Sequence, residues 1–161
     1  MKEAGWKEQR PMRYDEHFHT GYLMGVFDLF HTGHLNLIER AKEHCDLLIV
    51  GVLSDEIVYE QKGAYPVISL DDRLRILSAC RYVDKAVPVT DPGLSKVAEW
   101  NRLHFDCLFS GNDHEGNEMW EYERKELEKR GATIRFFSYT GGISTSLIKE
   151  KIRKDPQNAA K

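Results

Sequence analysis

Two imidazoles stand three residues apart in GVFDLFHTGH, residues 25–34, with Gly33 between them. The segment follows an apolar run and leads into a helix-like one, so it sits where a strand hands over to a helix N-terminus. Unpaired N–H groups there attract an anion, and Gly33 lets a ligand approach the backbone closely. His31 and His34 fall on neighbouring parts of one helical face and can donate to a single phosphate. Read blandly, they are two surface histidines at a helix start; their place after the first strand favours phosphate chemistry. Zinc would need further ligands. His114 and Asp28 are the available ones, and no ordinary zinc spacing is present.

GGISTS, residues 141–146, carries a second signal. Two glycines free the backbone, and Ser144, Thr145 and Ser146 offer hydroxyls beside another helix N-terminus. That arrangement suits a triphosphate held from the side opposite the histidines, although a glycine turn before a serine-capped helix would look the same. Lys62, placed in a loop, together with Arg73 and Arg81, is an isolated cation near the expected ligand edge. Neither G-x-x-x-x-G-K-[ST] nor a G-x-G-x-x-G after the first strand occurs, which removes the main support for P-loop and NAD readings.

The elements that must position these groups alternate along the chain. Strand-like runs fall at 22–27, 47–53, 86–89, 107–109 and 133–137, and the second is apolar throughout, as in a strand covered on both faces. Helical patterns fall at 33–43 and at 70–80, the latter opened by Ser69. Others run from the Asp91-Pro92 entry to Leu103, from Met119 to Arg130 before Gly131, and from Ser144 to Lys154. This alternation predicts a Rossmann-like α/β fold, a five-stranded parallel sheet with helices on both faces. Residues 21–154 would form the single domain, with polar tails at 1–20 and 155–161. Ligands of such sheets sit beyond the carboxyl ends of the strands, where the histidine and serine segments fall.

Composition narrows the class. The chain has 161 residues, 41% of them hydrophobic, enough for one core. It has 23 Lys and Arg against 26 Asp and Glu, a net charge of −3, so no global basic balance argues for nucleic acid or an anionic membrane. Three cysteines without a C-x-x-C pair fit a reducing cytoplasm. The longest apolar run falls far short of the ~20 residues that cross a bilayer, and the charged start lacks the apolar stretch of a signal peptide.

Taken in order, GVFDLFHTGH, LSDE (53–56), KGAYPV (62–67), DDRLRIL (71–77), CRYVDKAVP (80–88), GNDHEG (111–116) and GISTS (142–146) resemble the cytidylyltransferases of the H-x-G-H nucleotidyltransferase superfamily. The glycerol-3-phosphate, phosphocholine and phosphoethanolamine enzymes are the similar ones. The resemblance implies transfer of a cytidylyl group from CTP to an alcohol phosphate, with Mg²⁺, release of pyrophosphate, and a homodimer. It assigns His31, His34, Lys62 and Arg81 to catalysis. Gly25, Val26, Phe27, Asp28, Gly33, Asp113, Gly142, Ile143, Ser144, Thr145 and Ser146 would hold the nucleotide, and Lys96 and Asp55 the acceptor; no residue is assigned to a metal. Such a reaction needs no general base, because a phosphate monoester is mostly dianionic at pH 7, with a second pKa of ~6. It does need donors and cations that bring two anions together.

Four departures from the family pattern stand out. Val26 replaces a threonine, Tyr139 an arginine, Asn112 and His114 the second Asp and the Trp of G-D-D-W, and Glu60-Gln61 precede Lys62 in place of a further lysine. The alternatives are an ATP-using adenylyltransferase of the same fold and a nucleotide-binding regulatory domain without catalysis.

Overall fold

The computed structural model describes residues 16–138 and 142–158. Five strands build its sheet: β1 (Phe18–Gly25), β2 (Cys45–Leu53), β3 (Lys85–Val89), β4 (Cys107–Gly111) and β5 (Thr133–Phe137). All neighbours run parallel, in the order β3-β2-β1-β4-β5. The helices are α1 (Thr32–Glu43), α2 (Asp55–Lys62), α3 (Leu70–Ser78), α4 (Lys96–Leu103), α5 (Glu118–Glu128) and α6 (Thr145–Lys154). The Rossmann-like architecture expected from the sequence is therefore the one observed.

Alternation of side chains along β1 explains the two-layered core. Leu23 points into a cluster with Ile38, Val50, Leu77 and Phe109, while Tyr22 points into another with Phe105, Leu108, Leu127 and Ile134. Each fully buried side chain of this kind contributes about 1.5–3 kcal/mol. Tyr22 also places its hydroxyl 2.6 Å from the Glu99 carboxylate. Gly51 of β2 makes room for that tyrosine, since a Cβ there would lie 2.2 Å from its oxygen.

Three elements differ from the sequence reading. β1 begins at Phe18, so residues 18–20 belong to the sheet rather than a tail; Phe18 pairs with Cys45 and packs edge-on against Phe109. α2 was not expected. Only Ile57 and Val58 are buried in its eight residues, too few to show a helical period, and the Ser54 hydroxyl caps it. Lys62 closes that helix instead of lying in a loop. Finally, Asp91-Pro92 does not start α4. The Asp91 carboxylate accepts from Gly93 and Ser95 N–H in a turn, and Ser95 is the cap.

Beyond the carboxyl ends of β1 and β2, a buried guanidinium ties the edge together. Arg73 donates to the carbonyls of Val26 (2.7 Å), Leu53 (2.9 Å) and Ile68 (2.9 Å), and to the Asp55 carboxylate at 2.5 Å. Its side chain is fully covered. The nearby Asp28 carboxylate accepts from the backbone N–H of Leu29, Val67 and Ile68. Together they lock the segment after α2 to the strand ends. Replacing Arg73 by Met strands a partly buried carboxylate and three carbonyls. We expect Arg73→Met to lower unfolding free energy by about 3–5 kcal/mol in urea titration; a loss under 1 kcal/mol would contradict this role.

Candidate active site

His31 is the N-cap of α1, an unusual cap whose ring does the work of a serine. Its Nδ1 accepts from Gly33 N–H at 3.0 Å, and His34 Nδ1 accepts from His31 N–H at 3.3 Å. The two rings thus form a reciprocal capping box, stacked 3.8 Å apart. Gly33 is required because the His31 ring folds over it; a Cβ there would meet that ring at 2.8 Å. With both Nδ1 atoms accepting, each neutral ring carries its proton on Nε2, and that N–H is the group left to donate. His31 Nε2 lies 3.3 Å from Thr145 Oγ1, which itself donates to the Asp28 carbonyl at 3.0 Å.

Burial lowers the His31 pKa, and it lowers that of His34 to about 4, helped by His31 and the Lys62 charge. Both rings are therefore uncharged donors at neutral pH. Backbone strain marks the same corner: Phe27 and Leu29, on either side of Asp28, have φ of 55° and 50°.

Two adjoining cavities open here and share His34, Leu37, Gly111 and Thr145. The smaller, ≈ 180 Å³, lies between α1 and the end of β5, walled by His31, Leu37, Arg40, Phe137 and Ile143. The larger, ≈ 520 Å³, lies over the ends of β1 and β4 and carries Lys62, Lys149, Asp113 and His114. Its size is that of a small-molecule site.

The sequence profile of the cytidylyltransferase-like family matches residues 22–151. The chain belongs to the cytidylyltransferase-like family. It is 36% identical to glycerol-3-phosphate cytidylyltransferase of Bacillus subtilis over 80% of this chain and 92% of that protein. It is 39% identical to ethanolamine-phosphate cytidylyltransferase of Dictyostelium discoideum over 57% of this chain. That stretch spans only 26% of the Dictyostelium protein. A crystal structure of the lipopolysaccharide core biosynthesis protein of Thermoplasma volcanium has the same fold, with TM-score 0.63 and 22% identity over 78% of this chain and 99% of that one.

Against this family pattern, most of the expected site converges. Gly25, Val26, Phe27, Asp28, His34, Lys62, Asp113 and Thr145 line the larger cavity, and His31, Gly33, Ile143 and Ser144 the smaller. The Asp28 carboxylate is spent on backbone donors, so its task there is to hold the loop. Five residues do not line either cavity. Asp55 is held by Arg73. Arg81 is exposed and folded over the Tyr82 ring. Lys96 is buried against Glu123. Gly142 lies beside an outer groove of α6, and Ser146 is exposed on it. Tyr139 and Gly141 lie outside the described residues.

Two cations were missed. Lys149 lines the larger cavity one turn beyond Thr145 on the same helix face, a spacing readable once α6 is placed. It lies 3.9 Å from the Asp28 carboxylate, beyond hydrogen-bond reach of an oxygen that already accepts from Val67 N–H. Arg40 lies two turns along α1 from Gly33, stacked on Phe137 and donating to Ser138 O. No helix among the described residues is long and apolar enough to cross a membrane.

The low pKa of His34 carries a stability consequence. Below pH ~6.5 the unfolded chain takes up a proton that the folded ring refuses until about pH 4. Stability is therefore full above that window and falls as pH drops through it. We expect His34→Gln to flatten this part of the pH–stability curve measured by urea unfolding, and an unchanged slope would refute the assignment.

Proposed function

We propose that this chain transfers a cytidylyl group from CTP to a phosphomonoester, giving a CDP-alcohol and pyrophosphate. The observation that carries the reading is the pair of cavities meeting at His34 and Thr145, one with Leu37, Phe137 and Ile143 in its wall and the other with two lysines. Two substrates with a common reacting centre call for that shape. The nucleoside would occupy the smaller cavity and the acceptor phosphate the lysine side of the larger, with the triphosphate between them along residues 25–28 and Thr145; Asp113, which the resemblance gave to the nucleotide, then falls on the acceptor side.

In this reading an oxygen of the acceptor phosphate attacks the α-phosphorus. The bond from that phosphorus to the bridging oxygen of the β-phosphate breaks, and pyrophosphate leaves with the electron pair. No proton must be removed from the nucleophile. His31 and His34 donate from Nε2 to the oxygens on which charge builds, and being neutral they need not lose a charge-solvating shell first. The N-termini of α1 and α6 add oriented N–H groups. Lys62 and Lys149 bring the acceptor dianion toward the triphosphate, the costliest approach in the reaction.

Mg²⁺ enters as the counter-ion of the CTP substrate. Among the described residues no group of three His, Cys, Asp or Glu side chains could hold a metal, and the Asp28 carboxylate already accepts three backbone N–H groups. An ion that keeps most of its waters and binds phosphate oxygens fits that donor set. A homodimer and a cytoplasmic setting complete the proposal; they rest on the family resemblance, with three free cysteines in agreement.

Pyrophosphate release from CTP and from ATP, each offered glycerol 3-phosphate, ethanolamine phosphate and phosphocholine, tests the reading directly. CTP is expected to be used in preference, and a preference for ATP would overturn the choice of base. His34→Ala should lower kcat by roughly 10²-fold or more, as loss of an oxyanion donor does. Lys62→Ala and Lys149→Ala should each lower kcat/KM for the acceptor by at least about tenfold with the fold intact by circular dichroism. Normal turnover in any of the three removes that residue from the mechanism.

A further inference from the structure

One cluster beside the larger cavity is not used by the reaction as drawn. β4 ends in a short 3₁₀ turn, Asn112–His114, that brings the His114 ring to the cavity wall. The ring lies flat on Trp120 of α5, with centroids 4.3 Å apart and planes within 5°. Neither ring nitrogen has a hydrogen-bond partner among the described residues. Trp120 is in turn fixed by Phe136 of β5 and by the Lys96 ammonium, which sits 4.1 Å from its ring. Lys96 is pinned twice to one side chain: its Nζ lies 2.7 Å from one Glu123 carboxylate oxygen, and its backbone N–H donates to the other at 2.8 Å. Both residues are buried, at 5% and 7% exposure.

A buried ion pair contributes little net stability, because desolvation of the two charges offsets their attraction. What it supplies is position. The ammonium faces an aromatic quadrupole at one fixed point, and the far end of that construction is an imidazole at the cavity wall. We propose that His114 contacts the acceptor substrate and selects acceptors whose organic part carries hydrogen-bonding groups, and that Lys96 is a positioning residue acting through Trp120.

This inference rests on the two-substrate reading above, and it places Lys96 one step back from the ligand contact that the family resemblance implied. His114 belongs to the cavity that holds Lys62 and Lys149, and it is absent from the smaller one. Burial and the nearby Lys96 charge lower its pKa, against the raising effect of Asp113, so the ring is neutral at pH 7 and offers one donor and one acceptor. A hydroxyl on the acceptor can satisfy both, and a protonated amine can donate to the bare ring nitrogen. A quaternary ammonium can satisfy neither.

The test compares wild type with His114→Phe, which keeps a flat ring on Trp120 and loses both nitrogens. For glycerol 3-phosphate, KM should rise about tenfold while KM for CTP stays within about twofold, and the preference for glycerol 3-phosphate over phosphocholine should shrink. An unchanged acceptor KM, or a rise in the CTP KM instead, overturns the assignment. Trp120→Leu should reproduce part of the acceptor effect and Trp120→Phe should restore it; no effect of Trp120→Leu overturns the positioning role.

Lys96→Met combined with Glu123→Gln leaves no buried charge unpaired, so it keeps the fold and should also raise acceptor KM. In that variant the acceptor KM should rise while the CTP KM stays within about twofold; an unchanged acceptor KM overturns the link to Lys96. If wild type releases no pyrophosphate with any acceptor, the two-substrate reading fails. Shifts of the His114 resonance on adding glycerol 3-phosphate then decide the contact by themselves, and their absence overturns it.

Discussion

The geometry at the mouth of the sheet depends on two imidazole lone pairs spent on the first turn of α1. A helix start leaves backbone N–H groups without partners, and small hydroxyl or carboxylate side chains usually satisfy them. Here His31 and His34 do so with Nδ1. The consequence reaches past the helix. Once Nδ1 accepts, rotation of the ring is fixed, the tautomer is fixed, and Nε2–H faces outward in both rings. The structure thereby converts a capping requirement into a pair of aimed, uncharged donors. Thr145 continues the line, its hydroxyl accepting from His31 Nε2–H and donating to the Asp28 carbonyl, which ties α6 to the segment after β1.

Around those donors, charge is divided by burial. Arg73 and Asp28 are sealed into the edge, Arg73 on three carbonyls and the Asp55 carboxylate and Asp28 on three backbone N–H groups, so they hold the loop after α2. Lys62 and Lys149 stay open to the cavity. Under the proposed reaction the open cations act on phosphates and the sealed pair keeps them in place, and a single cation could not do both. The Lys96–Glu123 pair repeats the sealed pattern on the other side of the cavity, beneath Trp120 and His114.

What sequence reading missed has local causes. α2 went unseen because an amphipathic period cannot show itself in eight residues with two buried side chains. Asp91-Pro92 imitated a helix entry because an aspartate that closes a turn and one that caps a helix use the same short-range hydrogen bonds. Lys96 and Asp55 carried the right charge for ligand work. Whether a charged side chain meets a ligand or a partner depends on what packs against it, and Glu123 and Arg73 come from distant parts of the chain.

By itself the sequence determined the alternation of strands and helices, the covered sheet, the serine cap of α6, and the spacing that lets His31, Gly33 and His34 form one capping unit. Each of these is encoded within a few residues, by side-chain period or by hydrogen bonds to the neighbouring backbone. The tertiary structure alone decided which cations face the cavity, that the space divides in two at His34 and Thr145, and that His114 rests on Trp120. Those outcomes depend on strand order. β4 lies beside β1 although Gly21 and its partner Cys107 are 86 positions apart in the chain, and no local pattern records which neighbours a strand acquires when the sheet closes.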